Sequence, residues 1–179
     1  MSSQSWVQCL QTAQTAGTAV TSGGPTTLLP TQALYTFPAS FFNSIGQKWR
    51  VKANGQLSTS TTANTLTLSV YFGSVIVATT TAALTLSTTA YSNYSWDFEA
   101  TGTIRSLGSG TGTTNIYFGK FYCPTAMTVT NGFYLFPASA PAVSSGWDCT
   151  VTEQVNLEAT LSSTGDSITL LDYSLEALN

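Results

Sequence analysis

Apolar and polar residues alternate along much of the chain. In the segment from residue 48 to residue 57, one set of alternate positions is apolar or small and the other set is polar. The segment "SWDFEATGTIRS", which begins at Ser95, repeats this alternation. A period of two is typical of a β-strand with one buried and one solvated face. From residue 33 onward no segment has a convincing 3.6-residue period, so we expect strands there and no helices.

Short turn signals separate the alternating segments. Gly73 and Ser74 stand between two apolar runs and predict a two-residue hairpin turn. The stretches "LGSGTG" and "SSTGD" are further turn signals. About eight strands at even spacing, joined by such turns, predict an all-β protein. The expected fold is an antiparallel β-sandwich of the jelly-roll type.

Residues 1–32 differ in composition from the rest and predict an extended N-terminal arm in front of a β-sandwich domain at 33–179. Residues 11–31 consist largely of Ala, Thr, Gly and Pro. An extended segment of this length can reach a neighbouring subunit; the alternative is a disordered leader. We expect the domain to fold without residues 1–30 and the arm to provide attachment. The apolar residues that would anchor the arm are Trp6, Val7 and Leu10, interpreted as a helical turn, and Leu28, Leu29 and Pro30.

The low charge of the chain excludes several classes of partner. Only 7% of its residues are charged, and the net charge is −3 with five Lys and Arg. That balance argues against nucleic-acid binding, which requires a basic surface. No apolar run approaches the roughly 20 residues needed to span a bilayer, and no secretory signal pattern is present, so we expect no membrane partner and synthesis in a cytoplasm. The three cysteines are expected to be free thiols, although a Cys123–Cys149 bridge remains open.

The sequence offers little catalytic chemistry. It contains no histidine, which removes the usual general base and the usual metal ligand. Asp97 and Glu99 lie on the polar side of their strand, so we interpret them as solvated surface residues and not as a catalytic acid pair. The sequence therefore predicts a non-enzymatic protein without cofactor or metal.

Two surface features are candidate interaction sites. Lys48, Arg50 and Lys52 share one face of a strand and could dock an acidic partner, or Asp97 and Glu99 of a neighbouring subunit. The alternative is a solvated strand that discourages aggregation. Trp147, in the loop "VSSGWDC", is the leading candidate for an exposed ring that stacks on a glycan, with Tyr91 or Tyr94 as further candidates.

The order of these segments resembles a known group of proteins. The series "LLPTQALYTFPASFFNSIGQKWRVKANGQLST", "TLTLSVYFGSVIVAT" and "QVNLEATLSSTGDSITLLDYSLEALN" is similar to structural proteins of tailed bacteriophages, and the resemblance covers nearly the whole chain. It implies a jelly-roll-like virion component and no catalytic residues. The leading hypothesis is a capsid decoration or cement protein on the outer capsid surface, made in the host cytoplasm. Its expected partners are the major capsid protein of a tailed phage and copies of itself, with a homotrimer favoured. The alternative is a tail- or fibre-associated module that binds a receptor or carbohydrate.

Overall fold

The computed structural model describes residues 6–21, 23–80, 83–128 and 132–178. Within these ranges the chain forms thirteen β-strands and one short 3-10 turn, Thr31–Ala33, and contains no α-helix. Accordingly, this described part includes no helix long and apolar enough to cross a membrane. The strands are β1 (Val7–Thr12), β2 (Thr26–Thr27), β3 (Tyr35–Phe37), β4 (Lys48–Thr59), β5 (Thr65–Phe72), β6 (Val75–Thr79), β7 (Leu84–Thr85), β8 (Tyr91–Ser106), β9 (Thr114–Tyr122), β10 (Phe133–Phe136), β11 (Ala142–Val143), β12 (Glu153–Leu161) and β13 (Ser167–Leu178).

The strands form two antiparallel sheets that pack as a sandwich. The seven-stranded sheet has the order β1-β13-β4-β8-β9-β10, and β11 also pairs with β9. The six-stranded sheet has the order β2-β12-β5-β6, with β3 beside β12 and β7 beside β5. The predicted antiparallel β-sandwich is confirmed. The predicted hairpin turn is also present: Gly73 has a φ of 57° between β5 and β6, a conformation that suits glycine.

Aromatic rings packed over glycines set the register of the seven-stranded sheet. Trp49 of β4 lies directly opposite Gly102 of β8, and Trp96 of β8 lies opposite Gly55 of β4. A Cβ atom on Gly102 would collide with the indole of Trp49. A Cβ atom on Gly55 would collide with the backbone carbonyl of Thr169 on β13 and would also approach the indole of Trp96 to 2.9 Å. The rings therefore occupy the space left by the missing side chains, and they hold the strands in this pairing.

The N-terminal segment lies along its own domain. β1 pairs with β13, Val20 bridges to Ile168, and the segment then crosses to the other sheet, where β2 pairs with β12. Residues 7–12 form a strand, so the helical turn expected around Trp6 to Leu10 is wrong.

Leu28 and Leu29 correct a second expectation about this segment. They are 0% and 5% exposed and belong to the core of the same chain. The backbone N–H of Leu28 donates to Leu157 at 2.9 Å. Their expected contact with a neighbouring subunit is therefore wrong, because both side chains are already buried within this domain.

All three cysteines are free thiols, as expected. Cys123 and Cys149 are buried, and Cys9 is exposed on β1. Burial raises the pKa of the Cys123 thiol, although hydrogen bonds from the backbone around Ala126 and Thr125 oppose that shift. The Cys123–Cys149 bridge that the sequence left open is not formed.

We expect Gly102→Ala to lower the free energy of unfolding by about 1–3 kcal/mol, because the new methyl group overpacks the contact with Trp49. Urea denaturation would measure the change. Thr103→Val, on the opposite face of the same strand, is the control and should shift stability by about 0.5 kcal/mol or less. Combining Gly102→Ala with Trp49→Leu should cost less than the sum of the two single changes; strictly additive costs would contradict the ring-over-glycine contact.

We expect Leu28→Ala to destabilise the protein by about 2–5 kcal/mol, because it leaves a cavity in the core. Thr26→Ala, at an exposed neighbouring position, is the control. Removal of residues 1–30 should likewise lower the thermal midpoint, in contrast to what the sequence suggested. A truncated chain that unfolds at the same temperature as the full chain would show that the segment adds nothing to the core.

Candidate functional site

The outer face of the seven-stranded sheet brings together most of the charged residues that the sequence singled out. Strand pairing places Lys52 directly opposite Glu99, and Glu99 directly opposite Lys120 on the next strand. The same pairing aligns Asn54, Asp97 and Tyr122 in the adjacent row. All of these side chains point away from the sandwich core because they occupy alternate positions of β4, β8 and β9.

Several of these charges have partners within the same chain. Arg50 pairs with Glu176 of β13, with its Nε 2.6 Å from the carboxylate, and both side chains are largely covered. The Nζ of Lys120 lies 3.6 Å from Glu99 and 3.9 Å from Asp97. Lys120 of the same chain therefore already lies beside Asp97 and Glu99. A contact between them and a neighbour's Lys48, Arg50 or Lys52 stays a prediction.

Asp97 and Glu99 lie on the outside of their strand, as the alternation predicted. Asp97 is exposed, and the Glu99 side chain is 30% exposed. Both lie on the outer face of the sheet, and Glu99 also borders a small hollow beside Phe118 and Leu135. The outward position predicted for both side chains is therefore observed, and their non-catalytic role stays a prediction.

A cluster of apolar side chains adjoins these charges on the same face. We call this cluster the apolar strip. Each member is between 42% and 62% exposed. The members are Phe118 and Tyr122 of β9, Phe133 and Leu135 of β10, and Val143 of β11. Isolated exposed apolar residues are ordinary, but a contiguous group on one face is typical of an interaction surface.

Two hollows flank the Phe118 and Leu135 side chains. One has a volume of about 100 Å³ and is bordered by Glu99, Thr101 and Lys120. The other, of about 270 Å³, lies against the end of β10 and the 137–141 loop that joins β10 to β11. The apolar strip therefore contains depressions that a side chain of a partner could fill. Charged groups lie along one side of the strip.

β10 adds a second binding feature. It lies at one end of the strand order of its sheet and pairs only with β9 among the described residues. An edge strand offers unpaired backbone N–H and C=O groups to another chain. The apolar strip thus continues to an open sheet edge.

The candidate anchor residues of the N-terminal segment differ in how exposed they are and in which part of the sandwich they lie. Val7 is exposed on β1, Leu10 is half-buried against the core, and Pro30 is half-buried before the 3-10 turn. Trp6 is 43% exposed and lies near Lys48, where both line a pocket at one end of the sandwich. Trp6 and Lys48, two candidate interface residues from distant parts of the sequence, therefore line the same pocket.

Trp147 is not an exposed ring. It is 2% exposed, and its ring centroid lies 5.1 Å from that of Phe72 and 5.8 Å from that of Phe42. The expectation that it stacks on a glycan is wrong for this structure, because the loop folds the indole into the core. Tyr91 and Tyr94 pack against each other at 4.8 Å, and Tyr94 is the more exposed of the two.

Three ionisable groups outside the apolar strip have shifted pKa values. Burial raises the pKa of Tyr173 far above its ordinary range. Hydrogen bonds from Thr150, and then from Gly110, lower the pKa of Asp148. Burial, and then the charge of Asp148, raise the pKa of Glu153. These shifts arise from core packing and turn structure.

The sequence did contain a signal for the apolar strip. In β9, Tyr117 and Phe121 occupy the buried face, while Phe118 and Tyr122 occupy the other face. A strand with aromatic residues on both faces departs from the alternation of a solvated strand. Counting the apolar residues of each face separately would have singled out β9.

Comparison with known proteins gives distant similarities. No family model and no curated protein matches the chain. The CBM2 module of the evolved Dit of Lactobacillus casei BL23 phage J-1 is 11% identical, with a TM-score of 0.40 and coverage of 99% of this chain and 98% of that one. The lectin I from Ulex europaeus, solved with the methyl glycoside of α-L-fucose, is 8% identical, with a TM-score of 0.35 and coverage of 98% of each chain. At these scores neither similarity identifies what this chain binds.

We expect Arg50→Met to lower the free energy of unfolding by about 1 kcal/mol, because it leaves the largely covered Glu176 carboxylate without its partner. Lys52→Met, two residues along the same face, should change stability by about 0.5 kcal/mol or less. Chemical denaturation of both variants would measure the difference. Equal stabilities would show that the Arg50–Glu176 pair contributes nothing.

Proposed function

We propose that this chain is a non-enzymatic structural protein of a tailed-phage virion that docks on the outer surface of the capsid through its apolar strip. The observation that carries the proposal is the clustering of Phe118, Tyr122, Phe133, Leu135 and Val143 on one exposed sheet face beside an open edge strand. The resemblance of the sequence to phage structural proteins supplies the virion context.

The chemistry of this face suits a protein partner. Aromatic anchors beside small hollows are typical of the central part of a protein interface, and charged residues are typical of its rim. Asp97, Glu99 and Lys120 provide such a rim with both signs of charge. A face of mixed charge on a chain of net charge −3 suits a protein surface better than a nucleic acid.

The mechanism of attachment would be burial of apolar area together with strand pairing. Phe118 and Leu135 would fill depressions on the capsid shell, while the free edge of β10 accepts or donates backbone hydrogen bonds. Neither step requires a catalytic group. The homotrimer that the resemblance favours remains a prediction, which sedimentation equilibrium of the purified chain would check.

The proposal predicts that the double variant Phe118→Ser with Leu135→Ser loses attachment. Purified protein would be mixed with capsids that lack it, and the bound fraction measured by co-sedimentation. We expect about tenfold weaker binding or more, since two interface anchors are removed.

The matched control is Ile76→Ser with Val151→Ser, which removes two exposed apolar side chains outside the apolar strip. That variant should bind like the unmodified protein. Full occupancy of the capsid by the apolar-strip variant would contradict the docking surface. Cryo-electron microscopy that places the protein only at the tail would contradict the capsid role.

A further inference from the structure

A pocket of about 320 Å³ lies at the end of the sandwich where β1 and β4 begin and β13 ends. Its volume is in the range of small-molecule sites. It is separate from the apolar strip, which lies on β9, β10 and β11. The pocket is lined by Trp6, Phe41, Phe42, Asn43, Gln47, Lys48 and Ala177.

Aromatic rings form the apolar wall of this pocket. Trp6 is 43% exposed. Phe41 is half-buried and packs against Phe37 and Phe42, with ring centroids 4.7 Å and 5.1 Å away. Phe42 in turn contacts the buried Trp147. The wall at Phe41 is therefore held by the core, and Trp6 lies on the more exposed side of the pocket.

The polar side of the pocket is rich in hydrogen-bond donors. The Oε1 of Gln47 accepts bonds from the backbone N–H groups of Asn43 and Ser44 at 2.8 Å and 3.0 Å. That oxygen is therefore engaged, and the side-chain nitrogen of Gln47 remains as a donor. The Oδ1 of Asn43 likewise accepts a bond from the Ser44 hydroxyl at 3.2 Å. Among the described residues, the side-chain amide nitrogens of Asn43 and Gln47 and the Nζ of Lys48 have no hydrogen-bond partner.

The donors stand on a loop that the sheet holds in place. The N–H of Gly46 donates to Ile104 at 2.9 Å, and the N–H of Ile104 donates to Gln47 at 2.8 Å. Gly46 has a φ of 96°, which glycine adopts without strain. The loop is thereby tied to β8, so little ordering is required when a ligand binds.

We propose that this pocket binds a carboxylated pyranose, that is, a uronic acid unit of an acidic glycan. The apolar face of a pyranose ring suits the Trp6 and Phe41 rings, and a carboxylate suits the Lys48 ammonium with the two amide donors. Among the described residues that line the pocket there is no Asp or Glu, which argues against a cation as the ligand. The proposal is independent of capsid docking, so either can fail without the other.

The test uses methyl β-D-glucuronide as the probe and methyl β-D-glucoside as its neutral counterpart, since the two differ at the carboxylate. Each would be titrated into the full-length ¹⁵N-labelled protein and followed at the indole N–H resonance of Trp6, assigned from its absence in Trp6→Phe. We expect saturable shifts with the glucuronide and about tenfold weaker binding of the glucoside.

Lys48→Met should weaken glucuronide binding by about tenfold, because it removes the ammonium and keeps the aliphatic stem. Lys52→Met, on the same strand face but outside the pocket, should bind like the unmodified protein. Retained folding of both variants would be checked by their amide spectra. The proposal is overturned if the glucuronide gives no saturable shift, if the glucoside binds equally well, if Lys48→Met binds as tightly as the unmodified protein, or if acetate alone binds as tightly as the glucuronide.

Discussion

The packing of Trp49 and Trp96 over glycines of the facing strand holds β4 and β8, the two central strands of the larger sheet, in register. The arrangement of the charged side chains on the outer face depends on this pairing. Trp49 covers Gly102 and Trp96 covers Gly55 across the same pair of strands. A two-residue slip would bring Trp49 opposite Ala100, where a side chain occupies the space. A one-residue slip would turn the buried set toward solvent. Both alternatives lose core packing, so a single pairing remains.

This buried register also decides which residues meet on the solvent side. Because side chains alternate along a strand, fixing the inner partners fixes the outer partners as well. Glu99 therefore lies between Lys52 and Lys120, and Leu135 lies beside Lys120. The neighbouring apolar and charged zones of the outer face are thus a consequence of how the core packs. A core variant that shifted the β4–β8 register would also separate Lys52 from Glu99.

The alternation of β4 and β8 was sufficient to predict the sandwich, its buried faces and the outward position of Asp97. The turn at Gly73 was also evident, since local residue preferences determine it. Trp147 was misplaced because a tryptophan among Gly and Ser resembles an exposed loop residue, whereas backbone bonds to Thr113 at 2.9 Å and 3.0 Å fold it inward. The burial of Leu28 depends on pairing with β12, a non-local contact that no local pattern shows. The pocket at Trp6 likewise joins segments far apart in the sequence.

The position of β13 between β1 and β4 has a consequence for synthesis on the ribosome. Arg50 and Glu176, neighbours in the folded sheet, are 126 residues apart in the chain. The larger sheet cannot form completely until residues 167–178, which form β13, have left the exit tunnel. Until then β4 presents an open edge and part of the core is unfilled. Non-local pairing of this kind slows folding and extends the time during which a nascent chain is prone to associate with others.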